Sequence, residues 1–184
     1  TKKEIGDVID QYVASKYTQV DAGNLYGTTG TPITVGLGSG EIKPTLALAR
    51  LRELLVTAKA PTSSPRVVIP EWMGTMLEIE LGGRLTNLGD AVIGGSVVNK
   101  PGYMGNVSGF QVFVSPNVPN TTSTKYRVFA GDPMITYASC IDTVETLSLQ
   151  NDFSKAVKGL YVFDAKLLDG KAMAMGCFNK GAYA

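Results

Sequence analysis

The spacing of apolar residues changes once along this chain, and that change limits what it can fold into. Up to about residue 81 they recur with a helical period; after Gly82-Gly83 the texture is that of strands. Ile5, Val8, Ile9, Tyr12, Val13 and Tyr17 form one stripe, and Thr1 followed by Glu4 has the form of a capping box, which predicts an amphipathic helix over 2–17. Residues 18–40 are rich in glycine, with Ile33, Thr34 and Val35 as a candidate short strand. Pro44 suits the first turn of a second helix, whose stripe is Leu48, Leu51, Leu55 and Ala58, widened by Ala47 and Leu54; Pro61 stops it near Lys59. Arg66-Val67-Val68-Ile69 reads as a buried strand, and Pro70 opens a third helix over 71–80, with Trp72, Met73, Met76 and Leu77 on one side.

The second half offers candidate strands at 91–98, 109–114, 126–130, 134–140, 143–149, 157–166 and 171–178. Asp169-Gly170 between the last two is a two-residue hairpin signal. A few helices followed by a run of strands indicates an α+β fold with a mostly antiparallel sheet. Helix 2–17 has a stripe to bury, through Ile5, Ile9 and Tyr12, and a closing hairpin 157–178 offers Leu160, Val162, Ala174 and Phe178. These two are expected to pack together, with 20–140 inserted between them around its own core of Leu48, Leu51, Leu55, Val68, Trp72, Phe110, Val112 and Val114.

Composition narrows the function. Of 184 residues, 44% are apolar and 18% charged, so a core is available while the surface carries less charge than a soluble monomer usually does; part of that surface is expected to meet other chains. The balance of 17 basic and 16 acidic residues, net +1, gives no nucleic-acid footprint. No apolar run approaches the ~20 residues of a membrane helix. Histidine is absent, which removes the commonest general base and metal ligand. Cys140 and Cys177 are far apart and read as two buried core thiols in a reducing environment. The chain begins with Thr1 and a polar helical pattern, so it reads as a processed or truncated form, or as the ordered part of a longer chain, without a signal peptide.

Motifs for chemistry are weak. Gly36-Leu37-Gly38-Ser39-Gly40 precedes a helix, where backbone N–H groups bind anions, yet it fits neither dinucleotide nor P-loop spacing and reads as a flexible loop. The acidic pairs Asp7/Asp10, Glu78/Glu80 and Asp142/Glu145 read as solvated faces. Trp72, Tyr103, Phe110 and Phe113 lack the surrounding cations of a base-stacking platform and read as core. Asn106-Val107-Ser108 and Asn120-Thr121-Thr122 match the short glycosylation pattern, which arises often by chance. No catalytic residue, cofactor-binding residue or metal ligand is identified, and no cofactor is expected.

Four stretches in order resemble the major capsid proteins of tailed bacteriophages, which have the Johnson-type fold also found in the herpesvirus capsid floor and in encapsulins. They are the helix ending Ile9-Asp10-Gln11-Tyr12 with the glycine-rich passage after it; helix 44–59 with Pro65-Arg66-Val67-Val68-Ile69-Pro70-Glu71-Trp72; Gly105-Asn106-Val107-Ser108-Gly109-Phe110-Gln111-Val112-Phe113-Val114-Ser115-Pro116-Asn117-Val118-Pro119; and the strand from Val157 to Ala165. The third is the most specific. The resemblance implies an axial (A) domain over 20–140 and a peripheral (P) domain made of 1–19 and 141–184. The family's N-terminal arm, extended loop and spine helix are absent from this chain, and no cross-linking residue carries over. It implies a structural virion protein, not an enzyme, that assembles in the host cytoplasm into the icosahedral capsid around phage DNA. Its partners would be copies of itself in pentamers and hexamers, scaffold and decoration proteins, and packaged DNA touched weakly and non-specifically, with no membrane. The alternatives are an encapsulin-type compartment shell, a small α/β nucleotide-binding enzyme using the glycine loop, and a tail or adhesin module.

Overall fold

A computed structural model describes residues 2–61, 63–81, 102–121, 124–132, 135–148 and 155–183. The expected strand 91–98 lies outside them. The helices form where their patterns place them: α1 Lys2–Ala14, α2 Pro44–Thr57 and α3 Glu71–Leu81. The 2–17 helix is α only as far as Ala14 and tightens into a 3-10 turn over Ser15–Gln19. The strands are β1 Leu25–Tyr26, β2 Ile33–Val35, β3 Arg66–Ile69, β4 Tyr103–Val107, β5 Phe110–Val114, β6 Asn120–Thr121, β7 Lys125–Gly131, β8 Ile135–Ser148, β9 Lys155–Leu167 and β10 Met173–Lys180.

The main sheet runs in the order β1-β10-β7-β3-β5-β4, with β2 also paired to β10 and β6 to β7. It is mixed: β10 runs antiparallel to β7 but parallel to β1 and β2, and β3 runs parallel to β5. α2 and α3 cover one face. Alternation along the strands sends Val67, Ile69, Phe110, Val112, Val128, Ala130, Ala174 and Phe178 to that face, where they meet Leu48, Leu51, Leu55, Met73, Met76 and Leu77. Trp72 is 8% exposed and its ring meets that of Tyr126 at a tilt, centroids 5.5 Å apart, so it is a core residue as expected. Of the predicted core, Val68 and Val114 are only partly buried. α2 has no cap of its own at Lys43. Glu80 of α3 supplies one, accepting from the Thr45 N–H at 3.1 Å and the Thr45 hydroxyl at 2.5 Å, so this half of the Glu78/Glu80 pair is not a solvated face.

The closing hairpin is the expectation that fails. β9 pairs with β8, from Ile135 opposite Leu167 to Ser148 opposite Lys155, and β10 leaves it to enter the main sheet beside β7. The reason lies at Asp169-Gly170. A tight hairpin turn of this kind needs positive φ, but Asp169 has φ −134°, and Gly170 is not among the positive-φ glycines. The pair opens a 3-10 turn, Gly170–Ala172, in which the Asp169 side chain accepts from the Lys171 N–H. A Cβ on Gly170 would sit 2.8 Å from the Gln19 carbonyl oxygen. The glycine therefore serves a close approach of two backbones, also marked by Asp21 N–H donating to the Gly170 carbonyl at 3.1 Å. With β10 in the sheet, Ala174 and Phe178 complete the core of residues 20–140. The segments expected as 134–140 and 143–149 are one strand, β8, whose register shifts between Ile141 and Thr143.

Candidate assembly surfaces

β8 and β9 form a two-stranded ribbon separate from the main sheet. Alternation gives it two faces. On one, Tyr137 lies opposite Ala165 and Ser139 opposite Phe163, with Tyr161 two residues away. The rings of Tyr161 and Tyr137 lie 5.9 and 6.4 Å from that of Phe163, and the two tyrosine hydroxyls are 2.9 Å apart. The end of α1 rests here: Tyr12 meets Phe163 edge-on at 5.2 Å and donates to Asp164 at 2.7 Å. Lys16 donates to the Tyr12 hydroxyl at 2.8 Å and lies 3.8 Å from Asp164. The Tyr12 hydrogen bond holds the Asp164 carboxyl below its ordinary range and raises the Lys16 ammonium. The expected packing of α1 against 157–166 is thus made by Tyr12, while Ile5 and Val8 remain exposed.

On the opposite face Cys140 lies across from Val162, next to Leu160. Leu160 is 52% and Val162 51% exposed, and Cys140 is exposed too. The reading of both cysteines as core holds for Cys177 alone; Cys140 is exposed, on a side of the ribbon that no second layer covers among the described residues. α1 also stands over the second face of the main sheet, where Val13 and Ala14 with Val68, Phe113, Val114 and Phe129 line an open apolar groove of about 430 Å³.

The glycine loop is filled by the protein itself. Glu41 turns back into it and accepts from the Gly38 N–H at 3.1 Å, and its two oxygens accept from the Ala182 N–H at 3.2 and 3.0 Å. Leu37 N–H donates to the Ala182 carbonyl at 2.8 Å. A Cβ at Gly36 would run into the Glu41 carboxylate. Of the N–H groups that suggested phosphate binding, that of Gly38 holds a carboxylate of the same chain, those of Gly36 and Leu37 donate to the Ile42 and Ala182 carbonyls, and the loop ties down residues 181 and 182. Its glycines were legible, but their partner, more than 140 residues away, was not. Trp72 and Phe110 lie in the core between the sheet and its helices, while Phe113 faces the other side with its ring 5.4 Å from that of Tyr103, so the four aromatics share no single platform. Asp7 and Asp10 are exposed on α1. No group of three or more potential metal ligands occurs among the described residues.

The ribbon thus carries apolar side chains, Leu160 and Val162, on a face that no element covers among the described residues. A model of the phage capsid protein family matches residues 2–175. The chain belongs to that family. Among solved structures it is similar to a chain of Mycobacterium phage Che8, at 24% identity and a TM-score of 0.63 over 97% of this chain and 60% of that one. It is also similar to a chain in the capsid structure of the cyanophage P-SCSP1u, at 12% identity and a TM-score of 0.60 over 97% and 63%. A third is a chain of the satellite phage P4 procapsid that includes the size determination protein, at 10% identity and a TM-score of 0.57 over 92% and 51%. At these identities the likeness is one of fold. The chain spans less than two thirds of the length of each of these structures. No curated protein matches it.

Proposed function

We propose that this chain is the shell-building region of a phage major capsid protein, a tile that closes rings of five and six copies into an icosahedral shell around packaged DNA. The observation that carries the reading is the β8–β9 ribbon. A two-stranded sheet is marginal in water unless a further layer covers it, and here one face holds α1 only through Tyr12 while the other leaves Leu160 and Val162 half exposed. A neighbouring copy supplies the missing layer. Heterologous contacts of this kind, repeated around an axis, close rings.

In this reading residues 20–134, joined by β10, form the axial part that points to the ring centres, and 1–19 with the β8–β9 ribbon, which begins at Ile135, form the peripheral part. The division departs from one cut at 141 because β10 is hydrogen-bonded to β7. The protein assembles in the host cytoplasm, with scaffold and decoration proteins as further partners. Its near-neutral balance of 17 basic and 16 acidic residues suits weak, non-specific contact with the enclosed DNA. It needs no enzymatic activity or cofactor for this, and the Glu41-filled glycine loop leaves the nucleotide-binding alternative without its site. Electron microscopy of the purified full-length protein tests the proposal: closed shells of phage-head size support it, small shells around a protein cargo point to a compartment protein, and monomers at high concentration contradict both.

A further inference from the structure

Arg127 is 3% exposed on the second face of the main sheet, and among the described residues it makes no ion pair, unlike Lys16 with Asp164 and Arg50 with Glu53. Its bonds go to neutral groups. Nη1 donates to the Cys177 thiol, and Nη2 donates to the Thr29 hydroxyl at 2.6 Å and the Thr121 hydroxyl at 3.4 Å. The ring of Tyr17 lies 5.5 Å from the guanidinium carbon. Burial pushes the Cys177 thiol up while Arg127 pulls it down, and the net direction is up, so the thiol stays protonated at neutral pH and does not balance the charge. A buried ion without a counter-charge is unfavourable even after relaxation. A second cation compounds this: Lys125, two residues along β7, donates its ammonium to the Thr29 carbonyl at 2.9 Å. Two cations therefore converge on one threonine of the loop 27–32, and no acid stands between them among the described residues.

The geometry points to an oxyanion site of the phosphate class at this loop. Lys125 and Thr29 form its open rim, Thr29 being exposed and Lys125 half-buried. Arg127 forms its floor. An oxyanion bridging Lys125 Nζ and Arg127 Nη2 takes the place of Thr29 as acceptor, and the loop offers further hydroxyls at Thr28 and Thr31, 2.9 Å from each other. Fork-shaped guanidinium donors and a flexible ammonium together suit an anion with several oxygens better than chloride. The phosphate can be free or part of a nucleic-acid backbone; the recognising chemistry is the same.

Thermal unfolding of the full chain in sodium phosphate against sodium chloride at equal ionic strength tests this, with Lys125→Gln and Thr29→Val beside the wild type. Arg127 is left intact because its buried bonds make a variant there prone to misfold. Phosphate is expected to raise the wild-type midpoint more than chloride does, and loss of one charge-assisted bond in Lys125→Gln is expected to weaken the apparent phosphate affinity roughly tenfold or more. A competing single-stranded oligonucleotide separates the sources: competition with phosphate assigns the site to a nucleic-acid backbone, and no competition assigns it to the free ion. Phosphate acting no differently from chloride, or both variants keeping wild-type affinity, overturns the inference. Shell formation does not enter this readout, so its failure leaves the capsid reading untouched.

Discussion

The main sheet and the β8–β9 ribbon are built from the same kinds of residue and end in opposite states. In the sheet, valine, isoleucine and phenylalanine face α2 and α3 and are fully buried; in the ribbon, Leu160 and Val162 stand half in water. The difference is one of layers. The sheet has a helical layer supplied by its own chain, whereas the ribbon has α1 at one end of one face. One region is folded by its own contacts, and the other, in the function proposed above, is finished by contacts with another copy. A substitution in the sheet should therefore be felt as lost stability, and one in the ribbon as lost assembly.

The largest expected effect on stability lies in the sheet. Phe178→Ala on β10 should cost about 3–5 kcal/mol, the range for large core truncations, as should Trp72→Ala on α3. Denaturant unfolding measures both, and a loss under 1 kcal/mol for Phe178 would mean that β10 is not a core strand. Gly36→Ala forces a methyl group against the Glu41 carboxylate; overpacking of this kind costs about 1–3 kcal/mol. Such a variant should free residues 181 and 182, seen as faster amide exchange there, and neither it nor the wild type should bind ATP or NAD by calorimetry. Stoichiometric binding abolished by Gly36→Ala would restore a phosphate-binding loop. Glu80→Ala removes the borrowed cap of α2 and should cost about 1 kcal/mol; an unchanged unfolding midpoint would show that water caps the helix as well.

The smallest effect concerns pH where α1 meets the ribbon. Asp164 is held below its ordinary range by Tyr12, so the contact is favoured while the carboxylate is charged and weakens as pH falls through that lowered value. The Tyr12 ring signals should shift below the usual carboxylate range in wild type and not in Tyr12→Phe, which keeps the ring and removes the bond. Equal titration in both would place the effect elsewhere.

The same contrast explains what the sequence made legible. Helical stripes and the β-branched run of β3 are local, and their elements appear within a few residues of expectation. Strand partners are not local. Asp169-Gly170 has hairpin chemistry by itself, and only the backbone of residues 19–21 against Gly170 shows why the glycine is there. β10 carries alternating Ala174, Gly176 and Phe178, which suits either sheet; the pairing with β7 decided it. Ile5, Val8 and Leu160 were read as buried because apolar residues in a pattern normally are, and a pattern cannot say whether the covering layer belongs to the same molecule. Glu80 looked like a surface acid because its backbone partner, Thr45, lies on another helix.

The central claim is that the ribbon is completed by another copy, and the double variant Leu160→Ser, Val162→Ser of the full-length protein tests it directly. Exposed positions tolerate such changes within about 0.5 kcal/mol each, so its unfolding midpoint should match the wild type while electron micrographs of the variant show free subunits in place of closed shells. Normal shells from the variant would contradict the account, since the face assigned to a neighbour would then carry no contact.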